Sequence, residues 1–138
     1  LGDGETGRIE DEQPLAVRNM AAFAVAFQRA GGKLVVGSHG SVANAEPGFA
    51  YHRELETYVE AGLSPAEALV AATRAGAEAL RRKDLGAIRA GNVADLVVVA
   101  GHPLTNISDT RQVELVIREG VLLDRAQAAE KLAALKAK

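Results

Sequence analysis

Lys33-Leu34-Val35-Val36-Gly37-Ser38-His39-Gly40-Ser41 decides how the rest of this chain is read. A short apolar run ends on a serine and a histidine set between two glycines. That is how a buried parallel strand ends when its carboxyl end opens into a site. The spacing predicts a strand over 33–37, with His39 on the rim where chemistry usually sits.

The flanks agree with an α/β unit. Leu15, Val17, Met20, Ala21, Ala24, Phe27 and Gln28 trace a helical stripe, with Pro14 at its start and Gly31-Gly32 at its end. This predicts a helix over about 14–30 that turns directly into the strand. Beyond His39, residues 40–48 have the small, polar composition of a connecting loop. A second helix is expected over about 49–61, stopped at Gly62. Ser64-Pro65-Ala66-Glu67 is a capping box that opens a third, over 65–80. From Lys83 the period changes. Leu96–Ala100 reads as a strand, and Val113–Ile117 with Val121–Leu123 reads as a hairpin around Arg118-Glu119-Gly120. Residues 125–138 are expected to form an amphipathic helix, and residues 1–13 a flexible arm.

Bulk composition excludes several functions. The 138 residues are 48% apolar and 4% aromatic, with a formal net charge of −2. Interspersed charge of this kind offers no footprint for nucleic acid or for an anionic membrane. No apolar run approaches the roughly 20 residues of a spanning helix. With no cysteine, disulfides, thiol nucleophiles and cysteine-based zinc sites are excluded. The same absence fits a reducing compartment and so favours the cytoplasm. The start at Leu1 reads as the inside of a longer polypeptide or a processed product.

Three histidines are available for chemistry: His39, His52 and His102. A metal site needs three or four convergent ligands, and no His-x-His or His-Glu-x-x-His spacing occurs. His39 is therefore either a site residue or a structural histidine bonding a loop carbonyl. His52 is either a helix-face histidine in a polar cluster or, if its helix begins near Phe49, a neighbour of the same rim. Glu54 and Glu56 read as solvated or paired on a helix face rather than catalytic, Asp95 as the cap of a turn, and His102 as having no role. Ser38 lacks the strand–Gly-x-Ser-x-Gly–helix setting of a hydrolase nucleophile. From chemistry alone the chain does not contain a complete active site.

The order of these pieces resembles the end of a metal-dependent amidohydrolase. The resemblance rests on Val-Val-Gly-Ser-His-Gly at 35–40, His-Arg-Glu-Leu-Glu at 52–56, and Gly-Leu-Ser-Pro at 62–65. It continues through Gly-Asn-Val-Ala-Asp-Leu-Val-Val-Val at 91–99 and Val-Ile-Arg-Glu-Gly at 116–120. It covers about residues 14–124 and is strongest toward the imidazolonepropionase-like and Xaa-Pro dipeptidase-like branch.

The resemblance implies an α/β fold made of the last strand and helices of a (β/α)8 barrel plus the C-terminal strands of an accessory β-sandwich. Residues 14–83 would be the barrel portion, with 33–37 as its eighth strand, and 84–124 the sandwich portion. It further implies a hydrolase of amide or cyclic amide bonds that uses a divalent metal, zinc being the expected ion, in the intact enzyme. This chain, as the C-terminal third, would be inactive alone and could hold no metal itself.

His39 stands where the family usually has a metal-binding aspartate, so the resemblance makes it the catalytic residue and the one candidate metal ligand. Ser38, Asn44, Glu46 and His52 would shape the substrate mouth for a small-molecule or peptide-like substrate. A non-catalytic alternative is a folded module that pairs with itself or with the missing N-terminal barrel half.

Overall fold

A computed structural model describes residues 15–38 and 48–124, together with 126, 128–130 and 134. Helix α1 spans Leu15–Arg29, α2 Phe49–Glu60, α3 Pro65–Ala72 and α4 Arg74–Ala79. Strand β1 (Leu96–Val99), a 3-10 helix (Ile107–Arg111), β2 (Val113–Arg118) and β3 (Val121–Leu122) follow. Helices thus fill the first part and strands the second. Residues 126, 128–130 and 134 are helical, as expected for the tail. No helix among the described residues is long and apolar enough to cross a membrane.

Three helix ends are closed by the chemistry their sequence supplies. After α1, the Gly31 and Gly32 amides bond back to the Gln28 and Phe27 carbonyls at 2.9 Å each. After α2, Gly62 and Leu63 repeat the pattern on Val59 and Tyr58. Both are double-bonded caps that satisfy carbonyls the helix leaves open. At the start of α3, the Ser64 amide donates to Glu67 at 2.7 Å and the Glu67 amide donates to the Ser64 hydroxyl at 3.3 Å. The expected capping box is formed.

The single helix expected over 65–80 is two. Thr73 breaks it, with φ −130° and ψ −85°. Its hydroxyl donates back to the Leu69 carbonyl at 2.7 Å, a local bond that competes with regular helix. The Tyr51 hydroxyl takes the Ala72 carbonyl at 2.7 Å, an acceptor that a continuous helix would use itself. Residue types at single positions, rather than periodicity, decide this break.

Residues 33–37, expected to form a strand, have no strand partner among the described residues. The sheet runs β1-β2-β3, and residues 33–37 are not a strand within the described structure. Their burial still alternates: Leu34, Val36 and Ser38 are half-buried, while Lys33, Val35 and Gly37 are exposed. The Val36 amide bonds to the Ala71 carbonyl of α3 at 3.2 Å. A strand is defined by pairing with another strand. Here the segment has helices on its inner side and no strand beside it among the described residues.

β1 and β2 pair antiparallel, Leu96 opposite Ile117 and Val98 opposite Leu115, with an irregularity before Val99. β2 and β3 form the expected hairpin around Glu119 and Gly120, both at positive φ (51° and 80°). Asp95 caps this turn, its carboxylate accepting from the Glu119 amide at 2.7 Å. The core centres on Leu55, Ala68 and Ile107, with Val36, Tyr58, Val59, Leu69 and Ala72 packed around them. Helical and strand-bearing parts therefore share one apolar contact.

Gly86 lies against the helix break. A Cβ there would come within 2.8 Å of the Arg74 Cα and 3.0 Å of the Thr73 carbonyl oxygen, whereas one at Gly91 would meet open space. Both glycines have positive φ, 79° and 87°. Gly91→Ala should lower stability by about 1 kcal/mol, the left-handed penalty alone. Gly86→Ala should cost roughly 1–3 kcal/mol more through overpacking. Denaturant titration of the two variants checks the order, and equal losses would contradict it.

Candidate functional site

Helix α2 brings the candidate residues into relation because successive positions send side chains to different neighbours. Glu54 reaches the segment before His39, and both its carboxylate oxygens accept from the Gly37 amide at 3.2 Å. A backbone donor that a neighbouring strand would satisfy is thus held by a charge-assisted bond from a helix. The Tyr58 hydroxyl, one turn further on, donates to the same carboxylate at 2.9 Å. Burial, that hydrogen bond and the Glu54 charge together push the Tyr58 phenol up to about 12. Glu54 is therefore a fixed acceptor that anchors Gly37.

Glu56 faces the 3-10 helix. It is 5% exposed, and its carboxylate accepts from Ser108 Oγ at 2.7 Å, from Arg111 Nη2 at 2.5 Å and from Arg53 Nη1 at 3.3 Å. The Arg111 guanidinium also stacks on the Phe49 ring, 4.4 Å from its centroid. A buried carboxylate is costly unless paired and hydrogen-bonded, and this one is both. Of the two expected states, solvated or paired on the helix face, Glu56 is not solvated and both carboxylates are paired. Their partners lie mostly on other elements.

His52 sits on the first turns of α2, half-buried, with Nδ1 3.1 Å from Thr110 Oγ1. Burial lowers its pKa from 6.5, the Arg111 guanidinium lowers it further, and Glu56 pulls the other way. Ser38 is half-buried next to the anchored Gly37. His39, Asn44 and Glu46 lie outside the described residues. His102 contributes its backbone amide, which donates to the Asp109 carboxylate at 2.8 Å.

Ser108, Thr110 and Arg111 are partners that reading the sequence missed. Residues 101–110 have the composition of a polar connection, and the Asn106 side chain that accepts from the Ser108 amide at 3.3 Å was the available signal for a helical turn.

A cavity of about 210 Å³ lies between the end of α1 and helices α3 and α4, lined in part by Lys33, Leu34, Glu67, Val70 and Arg74. Of the expected site residues that are described, neither Ser38 nor His52 lines it. Among the described residues no three His, Asp or Glu side chains converge as a metal site requires. The described donor set therefore does not fit a metal on its own.

The amidohydrolase family model matches residues 11–123. The chain belongs to the amidohydrolase family. Over 37 residues, 27% of the chain and 9% of the relative, it is 65% identical to an imidazolonepropionase from Anaeromyxobacter sp. (strain K). Among solved structures it resembles a candidate prolidase from Bifidobacterium longum, with a TM-score of 0.69 and 36% identity over 77% of this chain and 26% of that one. It also resembles a Xaa-Pro dipeptidase with bound methionine, with a TM-score of 0.65 and 30% identity over 78% of this chain and 25% of that one. The chain thus spans about a quarter of the length of these solved amidohydrolases and 9% of the curated relative. The resemblance is to imidazolonepropionase-like and prolidase-like proteins, and such neighbours imply a barrel-type fold for the family.

Two outcomes follow from the α2 contacts. Glu54→Ala should bring the Tyr58 phenol down from about 12 toward its ordinary 10, though not fully, because burial remains. It should also speed amide exchange at Gly37. Ultraviolet titration of the phenol and hydrogen exchange check both, and an unmoved phenol would contradict the contact.

His52 gives a pH dependence. Its pKa is depressed in the fold, so its contribution to stability is present above the ordinary 6.5 and is lost as pH falls through the lowered value. The thermal midpoint should drop as pH falls below 6.5, and the drop should shrink in His52→Gln. An identical slope in that variant would exclude His52 as its source.

Proposed function

We propose that this chain is the C-terminal part of a metal-dependent hydrolase that cleaves amide or cyclic amide C–N bonds. Residues 33–37 take the place of the eighth barrel strand in the intact enzyme, and residues 84–124 belong to the accessory β-sandwich. The family match across 11–123 carries this reading, because it includes both the helical part and the antiparallel sheet. The anchored Gly37 supports it. Strand-like alternation with helices on one side and no strand beside it is what a barrel strand shows when its neighbours lie elsewhere in the protein.

In this reading His39, at the end of that segment, is the catalytic residue and a single metal ligand. The remaining ligands to a divalent ion, zinc being the expected one, come from earlier strands. A neutral imidazole can bind a divalent cation or accept a proton, but it lacks the negative charge of the family's aspartate. Ser38, Asn44, Glu46 and His52 border the mouth that admits a small-molecule or peptide-like substrate. A metal ion would supply a water activated at neutral pH. The chain's own contribution is to hold the end of the segment still through Glu54.

His39→Ala in the intact polypeptide tests the assignment. Metal content by elemental analysis should fall, and hydrolysis of Xaa-Pro dipeptides and cyclic amides should drop at least about 100-fold. Undiminished metal content and turnover would remove His39 from the mechanism.

A second reading has its own support. Among the described residues Leu15, Met20 and Phe23 of α1 are each more than 70% exposed. An exposed apolar face of this kind marks a surface that another chain or segment covers. The 138-residue chain would then be a non-catalytic module that self-associates or binds the missing barrel portion. Sedimentation of the isolated chain should show association, and a monomer with cooperative unfolding would argue against it.

A further inference from the structure

The cavity between α1, α3 and α4 gathers charges of both signs around an apolar side. Lys33 and Leu34 enter it from the segment after α1, Glu67 and Val70 from α3, and Arg74 and Glu78 from α4. It holds about 210 Å³, the share of roughly seven water molecules at ~30 Å³ each. That is below the roughly 300–1,000 Å³ of a drug-sized pocket and suits a molecule the size of a free amino acid. Leu34 and Val70 supply its apolar side.

The charged groups are only partly engaged with one another. Glu78 Oε2 accepts from Lys33 Nζ at 2.6 Å. Glu67 Oε2 accepts from the Ser64 amide and from the Ser64 hydroxyl, at 2.7 Å each. Both carboxylates therefore keep Oε1 without a hydrogen bond among the described residues. The Arg74 side chain reaches Glu78 Oε1 through Nε at 3.8 Å, which is beyond hydrogen-bond length. Its guanidinium fork is left open, in the geometry that grips a carboxylate with two parallel bonds. Two cations and two anions make the lining neutral as a whole. A singly charged ligand would answer one sign and leave the other without a partner, whereas a zwitterion answers both.

We propose that this cavity binds a free α-amino acid with an aliphatic side chain. The ligand's carboxylate pairs with Arg74 and its ammonium with the open oxygens of Glu67 and Glu78. Its side chain lies on Leu34 and Val70. Such a ligand touches the start of residues 33–37 together with α3 and α4, so its binding stabilises the junction of these three elements. The proposal does not rest on the hydrolase reading.

The experiment is a calorimetric titration of the intact polypeptide with L-leucine. Binding should saturate with a Kd of about 1 mM, since the charged groups are part-exposed, and the thermal midpoint should rise with leucine concentration. Arg74→Met, at a half-exposed position, should weaken binding about 10-fold or more, and Val70→Phe, which fills the apolar side, should do the same. 4-Methylpentanoate and isopentylamine, which each lack one of leucine's charges, should bind about 10-fold more weakly than leucine. His39→Ala should leave the titration unchanged. No saturation with leucine, or undiminished binding to Arg74→Met, would overturn the proposal. Equal affinity for 4-methylpentanoate would overturn the zwitterion assignment. Binding lost in His39→Ala but kept in Arg74→Met would put the amino acid at the hydrolase site instead, and would overturn the cavity assignment while leaving the hydrolase reading standing.

Discussion

A buried carboxylate organises this chain. Glu56 lies inside the contact between α2 and the 3-10 helix, where an unpaired negative charge would be intolerable. Arg111, Arg53 and Ser108 satisfy it, and the bonds from Arg111 and Ser108 also tie the 3-10 helix to α2. Leu55, the neighbouring position, fills the apolar contact with Ile107 and Ala68. Through these two residues the helical part and the strand-bearing part become one unit. His52 and Thr110 meet because that unit is closed.

The same helix serves the opposite neighbour through Glu54. Holding Gly37 by a carboxylate is an unusual way to secure an apolar segment, since a paired strand would satisfy that amide by backbone alone. It leaves Val35 exposed and the segment without a strand beside it among the described residues. The exposed apolar side chains of α1, with Phe23 stacked on Phe27 at 6.3 Å, point the same way.

Much of this was legible in the residues. Ser64 and Glu67 announce the start of α3, and Gly31-Gly32 the end of α1. The hairpin at Glu119-Gly120 and the cap at Asp95 follow from turn chemistry, which is local. What was not legible depends on partners distant in sequence. Thr73 breaks a helix whose periodicity runs straight through it, because Tyr51 occupies the preceding carbonyl. Residues 33–37 carry a strand's pattern, but a strand needs a neighbour that no local pattern supplies. Arg111, Ser108 and Thr110 sit in a stretch with loop composition, and their importance comes from Glu56 and His52, more than fifty residues earlier. Asn44, Glu46 and His39 stand as sequence-based expectations, outside the described residues.

Joining of the two parts through Glu56 is tested most directly by a double-mutant cycle. Stability is measured for Glu56→Gln, Arg111→Met and both together in the intact polypeptide. Arg111→Met should be destabilising by about 3 kcal/mol, because it leaves a buried carboxylate short of its closest partner. The double variant should lose less than the two losses combined, with a coupling of about 1–3 kcal/mol. Strictly additive losses would contradict a structure held together at this point.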